Sequence, residues 1–88
     1  MAYRIEFTRS ALRALRRLPA PARQRVKAAV ELLKVTPRPP RVVRLKGGLR
    51  DVYRVRTGAC RIVYLIEDDR LVICVVRIGH RKDVYRER

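Results

Sequence analysis

Apolar and polar residues alternate at period two from Tyr3 to Phe7 (Tyr-Arg-Ile-Glu-Phe), which predicts a short opening strand. The period then changes. Thr8 offers a hydroxyl to cap a helix, and Ala11, Leu12, Leu15 and Leu18 recur at helical spacing. Pro19 and Pro21 end that helix and open a second one, predicted over about 22–35, with Val26, Ala29, Val30 and Leu33 on one stripe. Arg13, Arg16, Arg17, Arg23, Arg25, Lys27 and Lys34 take the remaining faces. Helices this short draw their stability from packing, so the resulting hairpin needs a sheet to cover.

Thr36-Pro37-Arg38-Pro39-Pro40 reads as a stiff, polyproline-like connector. A short strand is predicted over 42–45, with Lys46-Gly47-Gly48 turning the chain after it. Three stronger strands follow at 51–56, 60–67 and 71–78, separated by Thr57-Gly58-Ala59 and Asp68-Asp69-Arg70, both of hairpin length. Residues 79–88 form a tail that is polar except for Val84 and Tyr85. A strand, two helices and then a mainly antiparallel meander make an α+β chain, a two-layer domain with its helices on one face of the sheet. One domain spanning 1–88 accounts for the whole sequence.

Side-chain parity assigns the faces. Over 51–56, Tyr53 and Val55 point one way, Arg54 and Arg56 the other. A two-residue loop around Gly58 sets Arg54 or Arg56 directly opposite Arg61 and turns Tyr53, Val55, Ile62, Tyr64 and Ile66 into the core. Like charges set opposite each other are destabilising, so an arginine cluster there implies an anion that comes to sit on it. The competing reading is a solvated basic face. The last strand is apolar on both sides, with Leu71, Ile73 and Val75 on one and Val72, Cys74, Val76 and Ile78 on the other, which predicts a central position. Apolar surface that the helices leave uncovered is a docking candidate.

Charge turns this fold into a hypothesis about partners. Twenty-three basic side chains stand against 8 acidic ones, for a net charge of +15, and 19 of the 23 are arginine. The excess divides almost evenly between residues 1–40 and 41–88, so the body of the chain is basic. Leu, Ile, Val and Phe still make up 27 of the 88 residues, enough for a core. Such a field recruits polyanions, with nucleic acid as the leading partner and an acidic protein second. No apolar run is long enough to span a bilayer, and the first residues lack the apolar centre of a signal peptide, so a cytoplasmic protein without membrane contact is expected. Cys60 and Cys74 sit in apolar strand-like runs and read as buried thiols; with a single histidine and no Cys-x-x-Cys, no metal or other cofactor is expected.

Past the last strand come Gly79-His80-Arg81-Lys82-Asp83-Val84-Tyr85. Histidine is the side chain whose charge changes near neutral pH, which makes His80 a candidate acid or base. Arg81 and Lys82 suit a phosphate clamp. Tyr85 is able to stack on a base or, with Val84, to pin the tail to the sheet.

Leu45-Lys46-Gly47, Tyr53-Arg54-Val55-Arg56-Thr57-Gly58, Arg61-Ile62-Val63-Tyr64 and Ile78-Gly79-His80-Arg81-Lys82-Asp83-Val84-Tyr85 together resemble the RelE/ParE superfamily of type II toxin–antitoxin toxins, over nearly the whole chain. The Gly-His-Arg-x-Asp-Val-Tyr ending points to the RelE branch. The resemblance implies a ribosome-dependent mRNA endoribonuclease in which the 2′-hydroxyl attacks its own 3′-phosphate without a metal. It further implies that Arg54 and Arg56 are the family's basic strand pair, that Arg61 and Arg81 bind phosphate and stabilise charge, and that Tyr85 orients the substrate. Lys46 and Lys82 join Arg54 and Arg56 as RNA-binding candidates. Some relatives carry lysines at the positions of Arg54 and Arg56. Arginine holds its proton too firmly to serve as a base, so the base is His80, a carboxylate such as Glu67, or an arginine-ordered water; His80 is the choice for acid or base, since some relatives use a histidine in this region. The expected partners are an acidic cognate antitoxin, the ribosome and its mRNA, and operator DNA reached only through the antitoxin. The alternative is a ParE-like inhibitor of DNA gyrase with no nuclease activity.

Overall fold

The computed structural model describes residues 2–46 and 51–80. The expected Gly47-Gly48 turn and everything from Arg81 onward, including Lys82 and Tyr85, lie outside the described residues. The elements run β1 (Arg4–Phe7), α1 (Arg9–Arg17), α2 (Ala20–Leu33), β2 (Val43–Lys46), β3 (Asp51–Thr57), β4 (Cys60–Glu67) and β5 (Val72–His80). All five strands form one sheet in the order β1-β5-β4-β3-β2, antiparallel except for the β1–β5 pair. The helices cover one face, giving the expected α+β two-layer architecture.

Local chemistry explains the helix limits. Thr8 is the extended N-cap of α1, and its Oγ1 accepts a hydrogen bond from the Ala11 amide at 3.1 Å. Arg16 and Arg17 in the last turn complement the negative end of the helix dipole. Leu18 returns to extended backbone, as a residue before proline prefers, and α1 stops there. The second helix starts at Ala20, earlier than expected, because Pro21 falls in its first turn, where the missing N–H has no helical acceptor to lose.

Ala11, Leu15 and Leu18 of the first helical segment and Val26, Val30 and Leu33 of α2 pack onto Tyr53, Cys60, Ile62, Tyr64, Ile66, Ile73, Val75 and Ile78. Tyr53 and Tyr64 stack with centroids 6.0 Å apart. The Tyr64 hydroxyl donates to the Pro37 carbonyl at 2.8 Å, tying the connector to the core, and burial pushes the phenol up to about 12. Neither cysteine forms a disulfide; Cys60 is buried, whereas Cys74 is half-buried. No helix among the described residues is long and apolar enough to cross a membrane.

The connector does more than space two elements. Arg38 donates from Nε to the Tyr53 hydroxyl at 3.0 Å and from Nη2 to Asp68 at 2.9 Å, with Asp51 3.6 Å away. Its guanidinium stands 5.4 Å from the Tyr53 ring centroid. Tyr3 donates to the other Asp68 oxygen at 2.6 Å, and Arg44 reaches Asp51 at 3.2 Å. Six residues from five segments thus close one end of the sheet.

Two turns set the registers. Thr57 pairs with Cys60, leaving a two-residue loop in which Gly58 has φ +61°, the pattern of a type II′ hairpin with glycine first. A Cβ at Gly58 would also stand 3.1 Å from Arg25 Nη1. The β4–β5 connection is one residue longer than expected. Leu71 belongs to the turn with φ 54°, and β5 starts at Val72.

The doubly apolar last strand resolves through a bulge. Val63 pairs with Arg77 but Tyr64 with Val75, so Val76 is an extra residue in β5. Ile73, Val75 and Ile78 therefore all face the helices, although simple alternation would separate Ile78 from the other two. The Val76 carbonyl accepts a hydrogen bond from Thr8 Oγ1 at 3.3 Å, so the helix cap also holds the bulge. The strand continues through Gly79 and His80, where a polar tail was expected.

Candidate nucleic-acid interface

The sheet face away from the helices is built from alternate positions of five strands. Arg56 lies directly opposite Arg61, and Arg61 opposite Gly79, making one row. The next row runs Val43, Arg54, Val63, Arg77. Beyond it lie Val52, Leu65 and Cys74, with Glu6 beside Cys74, and then Glu67 and Val72 with Arg4. One half of the face is cationic around an apolar floor at Val63. The other half is apolar, with its acids at the far rim.

Arg54, Arg56 and Arg61 are the sequence candidates that this register brings together. None of the three has an ion pair among the described residues. Arg54 and Arg61 are half-buried and Arg56 is exposed. Arg54 Nε is sealed from solvent with no hydrogen-bond partner among the described residues, a state that costs on the order of 1–3 kcal/mol until an acceptor arrives. Two guanidiniums facing each other and a third with an unsatisfied donor describe a surface that the other described residues do not neutralise. Phosphate oxygens, which accept two parallel N–H bonds from one guanidinium, match this requirement.

The remaining candidates separate. His80 pairs with Cys60, and Cys60 is a buried core residue, so the register puts His80 on the helix side of the sheet. The sequence offers His80 as acid or base, and its register position lies across the sheet from the arginine rows. The Val76 bulge shifts every later residue of β5 to the opposite face from the one simple alternation assigns. Glu67 lies six residues along β4 from Arg61, on the order of 20 Å, and holds Arg70 at 2.9 Å. The Lys46 backbone pairs with Val52, beyond the arginine rows. Arg81, Lys82 and Tyr85 lie outside the described residues.

Two positions escaped sequence reasoning. The bulge turns Arg77 onto the cationic face, where it is exposed. Gly79 is bare beside Arg61, and a Cβ there would meet none of the described residues within 4 Å. Val75-Val76 carries no bulge signal, so nothing in the sequence flags either residue. A second basic surface lies on the helical layer, where Arg9, Arg13 and Arg16 of α1 line a shallow depression of about 270 Å³ with Leu12.

Comparison with known proteins names this arrangement. Residues 5–85 match the family described as ParE toxin of type II toxin-antitoxin system, parDE. The chain is 33% identical to toxin RelG of Mycobacterium tuberculosis over 98% of its own length and 99% of the relative's. It is 31% identical to the mRNA interferase toxin RelE of Escherichia coli, over 99% and 94%. The chain belongs to the RelE/ParE toxin superfamily. Solved structures place it on the RelE-like branch. The RelE of the Pyrococcus horikoshii RelE-RelB complex superposes with a TM-score of 0.83 at 28% identity, covering 92% of this chain and 97% of that one. Isolated Escherichia coli RelE gives 0.78 at 29% identity, covering 98% and 94%. In RelE-like terms, the helical hairpin and sheet form the scaffold, and the uncovered face carries the arginines.

Proposed function

We propose that this RelE-like chain is the toxin of a type II toxin–antitoxin pair and cuts mRNA on the ribosome. The observation that carries the reading is the convergence of Arg54, Arg56 and Arg61, without ion pairs among the described residues, on one open sheet face. In the proposed reaction the 2′-oxygen attacks the adjacent phosphorus and the P–O bond to the 5′-oxygen breaks. A 2′,3′-cyclic phosphate and a 5′-hydroxyl result, and the proton lost from the 2′-hydroxyl is balanced by one delivered to the leaving oxygen. Arg61, near the centre of the patch, balances the charge that builds on the phosphorane. Arg54 and Arg56 hold the flanking backbone, and the Arg54 Nε donor gains its acceptor. Arg81 and Tyr85 complete the site by their sequence match to the family ending, Arg81 on the phosphate and Tyr85 against a base, with Lys46 and Lys82 as peripheral backbone contacts.

Proton transfer is assigned to water. Arginine does not release its proton at neutral pH. His80 occupies a register position on the helix side, and Glu67 is distant and paired. A water ordered by the guanidiniums is left as the base, so the site works mainly by charge and alignment. Alignment is what a ribosome supplies to an mRNA. Cationic surfaces on both layers, Arg54–Arg56–Arg61 on the sheet and Arg9–Arg13–Arg16 on α1, suit a toxin surrounded by RNA better than one lying along a single strand.

The antitoxin is proposed as an acidic segment that covers this field. The apolar half of the face and the exposed Val43 and Leu45 on edge strand β2 provide its apolar footing. A relative of this chain was solved as a RelE-RelB complex, which supports the same assembly here.

Primer-extension mapping of mRNA ends in a purified translation reaction tests the proposal. New 5′ ends in register with codons, present only with ribosomes, are expected. The ParE description of the matching family keeps gyrase inhibition as the second reading. Growth arrest without new ends, together with loss of supercoiling by gyrase, would establish that alternative instead.

A further inference from the structure

We infer that Arg77 is a further RNA-positioning residue, a backbone phosphate contact that sets the strand's path across the open face beside Arg61. This rests on the ribonuclease reading and extends it to a residue that side-chain alternation hides. Val63 is flanked on its two sides by Arg54 and Arg77, and Arg61 lies two residues along β4 from Val63. With strands about 4.8 Å apart and alternate residues about 6.8 Å apart, the Arg61 and Arg77 Cα atoms are roughly 8 Å apart. Their side chains reach neighbouring phosphates of one strand, with Val63 as an uncharged floor. Gly79, two residues from Arg77 on the same face and directly opposite Arg61, puts no side chain of its own between the two cations.

The bulge makes this placement specific. Without the extra residue at Val76, Arg77 would alternate onto the side of Val75, against the core. With it, Ile78 enters the core and Arg77 joins the cationic rows. Among the described residues, the carboxylates of this face, Glu6 and Glu67, lie at its far rim, so a strand crossing beside Arg61 meets the cationic rows. Arg77 is exposed, whereas Arg54 and Arg61 are half-buried, which fits a guiding contact at the edge of the site.

The test compares the full-length chain with Arg77→Ala and Arg77→Lys in two assays. The first measures cleavage of mRNA on programmed ribosomes. The second measures binding of a single-stranded oligoribonucleotide across a salt titration. Arg77→Ala is expected to raise KM about fivefold to tenfold while kcat stays within about twofold, since a lost phosphate contact weakens binding rather than chemistry. The slope of log affinity against log salt should fall by about 0.7, one single-strand phosphate contact. Arg77→Lys should restore both. An unchanged KM and salt slope in Arg77→Ala, with melting like the parent, overturns the inference, as does a loss confined to kcat. A parent chain that binds the oligonucleotide but never cuts mRNA sinks the ribonuclease reading alone, and the salt slope still decides Arg77. A parent chain that does neither overturns both.

Discussion

Two groups of arginines lie at opposite ends of one sheet and are treated in opposite ways. Around the connector, Arg38 and Arg44 are satisfied within the chain by Asp51, Asp68 and the Tyr53 hydroxyl. On the open face, Arg56 confronts Arg61, and Arg54 Nε has no acceptor. The first group holds segments together and gains charge compensation in doing so. The second has no such compensation among the described residues, which is what the proposed RNA site calls for. Arginine content alone does not separate scaffold from site; the location of the acids does.

The largest expected effect breaks the second group without touching the first. Arg61→Ala should reduce mRNA cleavage on the order of 100-fold to 1,000-fold, the scale of losing one transition-state charge contact. Its melting temperature should hold or rise, because the Arg56–Arg61 repulsion disappears. Parallel loss of folding and cleavage would mean that the arginine is structural after all. Gly79→Val comes next. The backbone needs no left-handed glycine there and a Cβ meets no atom within 4 Å, so the fold should stay intact. The added methyls fill the lane beside Arg61, and cleavage should fall by about tenfold through misalignment of the strand.

Arg38→Ala breaks the first group and should show the mirror image. Its pairs are partly exposed, so each contributes only a few tenths to about 1 kcal/mol, and the lost Tyr53 contacts bring the total to about 1–2 kcal/mol. Melting should drop by about 5–10 °C, measured by circular dichroism, with cleavage at lower temperature unaltered. Because the clusters share no partner, the Arg38→Ala/Arg61→Ala double variant should show both losses added together. A smaller effect is expected at His80. Its register position across from the buried Cys60 keeps it off the arginine face, and His80→Gln should alter the cleavage rate by less than about threefold at neutral pH. A loss as large as that of Arg61→Ala would restore it as the acid or base.

Much of this contrast could be read from the residues in order. Thr8 as cap, Gly58 as the hinge of a two-residue hairpin, and Arg54 or Arg56 opposite Arg61 all follow from local rules about hydroxyls, positive φ and alternation, and the register settles on Arg56. Alternation also failed where it was trusted longest. Val75-Val76 looks like any buried strand, and only pairing with β4 and the Thr8 contact reveal the extra residue that moves Arg77, Gly79 and His80 to new faces. The Arg38 network was equally hidden. Its carboxylate partners lie 13 and 30 residues downstream, a distance that no local pattern spans, and its prolines drew the reading toward a passive spacer.

Asp68 supplies the finest probe of the paired cluster. The Arg38 hydrogen bond, and then that of Tyr3, holds its carboxyl below the usual carboxylate range. A carboxyl whose folded pKa is depressed adds stability above its unfolded value, and that stability is lost as pH falls through the folded one. The gain is therefore present at pH 7 and fades below about pH 4, near the ordinary aspartate value. More than half of the Asp68 side chain is exposed, so solvent screening limits the effect to a few tenths of a kcal/mol. Urea midpoints of the parent and Asp68→Asn should differ slightly at pH 7 and converge near pH 3. Arg61→Ala, whose arginine has no carboxylate partner among the described residues, should leave that acid dependence unchanged; if it shifts the profile as Asp68→Asn does, the two arginine groups are coupled and the contrast between them fails.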